Sequence, residues 1–202
     1  MEWYTHHSDK YTEWNLYLNS IEKYFNVCKD NTVLEIAPLF GTHTNLIKHH
    51  GAKQITFVEI NDNAVNAALP NTHPDCELII GDIFSYLSTP KKFDVVVCCG
   101  LLYHLHSPLY LLELIANNIA PKFIMLETFP YNHEKMHHAL VKIEENESLP
   151  DWKTCGIKLG LDQEIFIIAM KNLGYKLITS DTNITKPSNP DADLFLGVFE
   201  KI

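Results

Sequence analysis

The sequence predicts an α/β fold: a doubly wound sheet of seven strands, mostly parallel, with an antiparallel C-terminal hairpin strand. Three observations point there. Between residues 32 and 128, short apolar runs alternate with stretches of helical periodicity. Two of the runs, "FDVVVCCG" (93–100) and "KFIMLET" (122–128), are apolar throughout, as strands buried on both faces are. The last two runs, "YKLITSDT" and "DLFLGVFEKI", are joined by a Pro/Asn loop with no helix between them, which reads as a hairpin.

In order, residues 10–27 set Trp14, Leu18, Ile21 and Phe25 at helical spacing, so an amphipathic helix opens the chain. "TVLEIA" (32–37) is a strand. "THTNLIKHH" (42–50) is a helix that Gly51 ends. "QITFVEI" (54–60) is a strand, and Asn61 or Asp62 can cap the helix "AVNAAL". "CELIIGD" (76–82) is the third strand and 93–100 the fourth. "SPLYLLELIANNI" (107–119) is a helix with Pro108 in its first turn, before the strand 122–128. Residues 130–160 are polar and irregular and form a lid-like insert. Residues 161–174 are the last helix, ahead of the hairpin. The 202 residues show no internal repeat and no second domain, so the chain reads as one domain, 1–202, with an N-terminal helical segment at 1–30.

Composition narrows the function. Hydrophobic residues make up 46% and charged residues 20%, enough for a sizeable core. No apolar run approaches the roughly 18 residues of a membrane span, and the start "MEWYTHHSDK" has no apolar signal region, so no membrane role is expected. Five cysteines, two of them adjacent in a buried strand, read as reduced thiols of a cytoplasmic protein. A net charge of −9 argues against a large phosphate-binding surface, so a small-molecule substrate is expected rather than a nucleic acid. Nothing in the sequence sets the oligomeric state.

In sheets of this kind ligands sit outside the carboxyl ends of the strands. Those ends carry Glu35, Glu59, Gly81-Asp82, "CCGLLYHLHSP" and Glu127-Thr128. The segment Glu35-Ile36-Ala37-Pro38-Leu39-Phe40-Gly41, together with Glu59, "GDIF" and "FDVVVCCGLLYHLHSP", resembles the class I S-adenosylmethionine (SAM) dependent methyltransferases, whose sheet is Rossmann-like. That family carries an acidic residue and then G-x-G-x-G at the first strand; here only Gly41 survives of the three glycines. A dinucleotide would press a pyrophosphate onto this backbone, whereas SAM has no phosphate, so the loss counts more against a nicotinamide cofactor than against SAM. Ala37 keeps a small side chain, and Leu39 must turn its side chain away from a ligand. Residues 100–128, by their pattern, look most like the branch that modifies the wobble uridine of transfer RNA, although small-molecule branches share much of it.

The resemblance implies SAM as cofactor. It places Glu59 on the ribose hydroxyls and Asp82 at the adenine, with Glu35, Ala37, Gly41, Ile60, Ile83 and Gly100 completing the cofactor site. On the acceptor side His104 is the candidate base, and Tyr103, Glu127, Tyr131 and His133 are candidate substrate contacts. The expected activity is methyl transfer to a small molecule. The alternatives are a SAM-binding protein without turnover, or an enzyme that lyses SAM or transfers another of its groups.

"HEKMH" (133–137) fits the zinc-protease pattern H-E-x-x-H, but it lies in the polar insert and lacks a third ligand. His104 and His106, and His49-His50, have no convincing ligand spacing. No metal site is expected, and zinc in particular is expected to be absent.

Overall fold

The computed structural model describes residues 10–128, 140–143, 157–160, 163–186 and 189–202. Five parallel strands follow the apolar runs: β1 (Thr32–Ile36), β2 (Gln54–Glu59), β3 (Glu77–Ile80), β4 (Val95–Cys99) and β5 (Phe123–Thr128). Two long C-terminal strands, β8 (Tyr175–Lys186) and β9 (Asn189–Lys201), complete the sheet in the order β3-β2-β1-β4-β5-β9-β8. β9 runs antiparallel between β5 and β8, with Glu127 opposite Leu196 and Lys176 opposite Glu200. Both strands are longer than their apolar runs, and β8 accommodates its length by register shifts between Leu177 and Thr179 and between Asp181 and Ile184.

Helices cover both faces. α1 (Lys10–Ile21), its 3-10 continuation Glu22–Cys28, and α2 (Thr44–His49) lie on one face, where Leu18, Ile21, Phe25 and Leu46 pack against Val33, Phe57, Val97 and Met125. α5 (Pro108–Leu114), extended by a π turn at Ile115–Ile119, and α6 (Gln163–Asn172) cover the other face, burying Leu111, Ile115, Phe166 and Met170 on Leu34, Val96 and Ile124. Alternation along each strand thus sends odd-numbered residues of β1, β2, β4 and β5 toward α1 and α2. That one fact fixes the face on which the functional carboxylates lie.

Two short elements escaped the periodicity: α3 (Leu69–Thr72), which prolongs the π turn Ala64–Ala68, and α4 (Ile83–Tyr86). At four residues each, neither completes enough turns to show a stripe. Of the insert 130–160, β6 (Leu140–Ile143) and β7 (Ile157–Gly160) pair as antiparallel strands, and the backbone of β7 lies beside the turn Leu102–His104. Among the described residues no helix is long and apolar enough to cross a membrane.

Candidate functional site

The segment after β1 holds three residues in the left-handed region: Ala37 at φ 52°, Leu39 at φ 54° and Gly41 at φ 73°. These are the three positions where the resembling family places glycine. The chain therefore keeps the backbone path of a glycine turn after losing two of its glycines. For a residue with a Cβ this conformation costs roughly 1–2 kcal/mol each, so something must hold it. Glu59 does so in part. Its buried carboxylate accepts the Leu39 N–H on Oε2 at 2.9 Å and the Ile60 and Asn61 N–H groups on Oε1, each at 2.8 Å. The Ala37 N–H donates to the Val58 carbonyl at 2.9 Å, tying the turn to β2 a second time. Leu39 itself is half-buried against the core on the α1 face.

A carboxylate offers about four acceptor positions. Three of Glu59's are taken by amides, which leaves room for one ribose hydroxyl rather than two. This backbone-holding role was invisible in the sequence, because the donors are main-chain groups.

Glu35 is also buried, on the same face, and accepts the Thr44 hydroxyl at 2.7 Å. Burial pushes its carboxyl up to about 7; the Thr44 bond opposes the shift and the nearby Glu59 adds to it. Asp82 is exposed and caps α4, its Oδ1 accepting the Ser85 N–H at 2.8 Å. Ile83 is buried beneath it. Ile60, 53% exposed, and two apolar residues that sequence reasoning did not single out, Phe40 (51%) and Ile80 (64%), leave an apolar rim at the ends of β1 to β3. Gly100, at φ 80°, turns the chain out of β4, and its N–H donates to the Glu127 carbonyl at 3.1 Å.

The acceptor-side candidates follow that turn. Tyr103 is buried and His104 half-buried, their rings 4.3 Å apart in the turn Leu102–His104. Tyr131 and His133 lie outside the described residues.

Glu127 has different company from any the sequence suggested. It is register partner to Cys99 on the neighbouring strand, so the two side chains share the α1 face. There Tyr17 of α1 donates a short hydrogen bond to Glu127 Oε2 and lies 2.9 Å from His43 Nε2, which is 3.4 Å from the same carboxylate oxygen. Burial, followed by the Glu127 charge, pushes the Tyr17 phenol well above its ordinary value, so it stays a donor. His43, just before α2, is fixed by the Phe25 ring stacked at 6.2 Å and the Tyr17 ring edge-on at 5.9 Å. Tyr17 and His43 went unnoticed in the sequence because only the fold brings positions 17, 43, 99 and 127 together.

Comparison with known proteins agrees with this geometry. Residues 33–122 match the family model described as a methyltransferase domain. No curated protein matches the chain significantly. Among solved structures, it is similar to the N-terminal domain of EvdMO1 with SAH bound (TM-score 0.65, 20% identity, covering 92% of this chain and 80% of that one). It is also similar to the Burkholderia thailandensis 1,6-didemethyltoxoflavin-N1-methyltransferase (TM-score 0.67, 11% identity, 96% and 79% covered). A third is the magnesium protoporphyrin IX methyltransferase of Synechocystis PCC 6803 with bound SAM (TM-score 0.67, 10% identity, 98% and 86% covered). The segment that matches the methyltransferase-domain model holds the left-handed turn, Glu59 and the β4 exit, and the chain shares its fold with structures determined with SAM or SAH bound.

Proposed function

We propose that the chain transfers a methyl group from SAM to a small-molecule acceptor. The observation that carries this is the glycine-like turn at 37, 39 and 41, held in its strained path by Glu59. A sequence that had abandoned the cofactor would have no reason to keep three left-handed residues there. The residues fit the group. Glu59 retains an acceptor position for a ribose hydroxyl, and Phe40, Ile60 and Ile80 leave apolar surface for an adenine. Small-molecule substrates named for two of the similar structures, a toxoflavin precursor and a magnesium porphyrin, and the net charge of −9, support that acceptor class.

SAM supplies its own leaving group, a sulfonium, so the protein's part is to orient two reactants and exclude water. Glu35, Glu59, Asp82, Ile83 and the turn hold the cofactor side. His104, with Tyr103 against it, stands at the exit of β4 beside β7, and takes a proton from an acceptor hydroxyl. Glu127 completes the acceptor side, and Tyr131 and His133, outside the described residues, are further candidate contacts. Among the described residues Cys28, Cys76, Cys98 and Cys99 are outside any disulfide, which supports a reducing, cytoplasmic setting.

The test is incubation with SAM labelled in its methyl group and, in parallel, a fractionated metabolite extract or total transfer RNA, followed by mass spectrometry. A labelled small molecule is expected. Label appearing in transfer RNA overturns the acceptor class. SAM bound without any labelled product favours a binding protein, and SAM consumed without methyl transfer favours lysis.

A further inference from the structure

We propose that His43, Cys99 and Glu127 form a binding site for one zinc ion, with Tyr17 as the hydroxyl that supports it. The three side chains come from the start of α2, the end of β4 and the end of β5. One donor atom of each, an imidazole nitrogen, a sulfur and a carboxylate oxygen, lies within 4.8 Å of the other two. Nitrogen, thiolate and carboxylate are the donors zinc takes, at about 2.0–2.3 Å from the metal. Tetrahedral ligands at those lengths stand roughly 3.3–3.8 Å apart, and His43 Nε2 and Glu127 Oε2 are already 3.4 Å apart. The Cys99 sulfur lies within 4.8 Å of both.

Charge makes the argument stronger than distance alone. Glu127 is fully buried and His43 nearly so. Tyr17 already donates to the buried Glu127 carboxylate, and a cation would in addition pair with its charge. A neutral imidazole, a thiolate and a carboxylate sum to −2, which a divalent ion cancels, and a coordinating thiol gives up its proton to the metal. The site also has the outer partner that metal ligands usually have: Tyr17 donates to the carboxylate that would bind. The stacked Phe25 ring fixes the plane of His43. Cys99 is half-buried, which gives an ion a way in. Three protein donors leave a fourth position for water or for a ligand on the acceptor side. This site does not use "HEKMH", and it stands independently of the methyl-transfer reading.

Three measurements decide it. Elemental analysis of untagged protein, purified without chelators, should show about one zinc per chain, in line with a three-ligand site that keeps one open position. Apo protein should take zinc up in competition with a chromophoric chelator, and cobalt in its place should give a thiolate charge-transfer band. Cys99→Ser and His43→Ala should abolish uptake and the band. Tyr17→Phe, which removes an outer partner, should weaken zinc by about ten- to a hundredfold. His133→Ala should leave zinc uptake and the cobalt band as in the wild type. Folding of each variant is checked by circular dichroism, and because Cys99→Ser changes one atom it keeps the test open if His43→Ala fails to fold. Folded wild-type apo protein that takes up no zinc overturns the proposal. So does zinc that Cys99→Ser retains, or cobalt binding without the thiolate band.

Discussion

The imidazole of His73 occupies the space in which a side chain on Gly41 would stand. A Cβ at that position would lie 2.4 Å from the His73 ring, and His73 Nε2 is 3.1 Å from the Gly41 carbonyl. Burial, with Lys48 nearby, lowers the His73 imidazole below its ordinary value, so it is neutral and donates to that carbonyl. Gly41 is thus held for two reasons, its φ of 73° and its neighbour. Gly41→Ala should cost the left-handed penalty of about 1–2 kcal/mol plus an overpacking term of about 1–3 kcal/mol. Urea denaturation measures the sum. In a double-mutant cycle, His73→Ala should recover the second part only; full additivity of the two changes would show that the ring does not press on position 41.

Glu59→Ala removes the acceptor of three backbone N–H groups as well as the ribose partner proposed above. SAM binding should weaken by roughly ten- to a hundredfold, the equivalent of one charged hydrogen bond of about 1.5–3 kcal/mol. Unlike a residue that only touches ligand, it should also lower the denaturation midpoint without SAM. Calorimetry and denaturation on the same protein check both; unchanged affinity in a folded variant removes Glu59 from the cofactor site.

Glu35 should make stability fall as pH rises. Its carboxyl titrates near 7 in the fold, against an ordinary 4.5. Between those values the folded chain holds a proton that the unfolded chain has lost, so the contribution is complete below about 4.5 and lost as pH climbs through 7. Its size is on the order of 3 kcal/mol. Glu35→Gln should flatten this slope. A cationic cofactor beside the ionised carboxylate predicts the opposite trend for binding, with SAM affinity rising over the same window. Midpoints and affinities measured across that window in both proteins decide the matter.

For an acceptor hydroxyl, His104→Ala should lower turnover by about 10²–10⁴-fold, the usual worth of a positioned base. SAM affinity should stay nearly the same. Activity of the wild type should fall on the acid side as the imidazole takes up a proton. Full activity in the variant with an unaltered pH profile reduces His104 to a wall of the pocket.

The sheet was legible because its strands are short apolar runs with polar residues at one end, and those ends are where Glu35, Glu59 and Glu127 lie. Other features have no local signal. The left-handed path of Ala37 and Leu39 is written against their residue types, and only the resemblance to a glycine motif hinted at it. Asp82 reads as a ligand carboxylate, yet it also caps a helix too short to show a period. Tyr17, His43 and Cys99 meet Glu127 through sheet register and helix docking, and no spacing rule joins residues so far apart in sequence.

The place of β9 has a consequence for how the chain acquires its shape. β5 is paired on one side by β4, and its other side waits for residues 189–201, long after residue 128 has been made. During that interval a nascent chain carries an open, strongly apolar strand edge, the kind that pairs with whatever strand arrives first. Closing it requires contact between distant segments, which slows folding. Chains cut before residue 189 should therefore misassemble, because the strand that closes the β5 edge sits in the interior of the sheet.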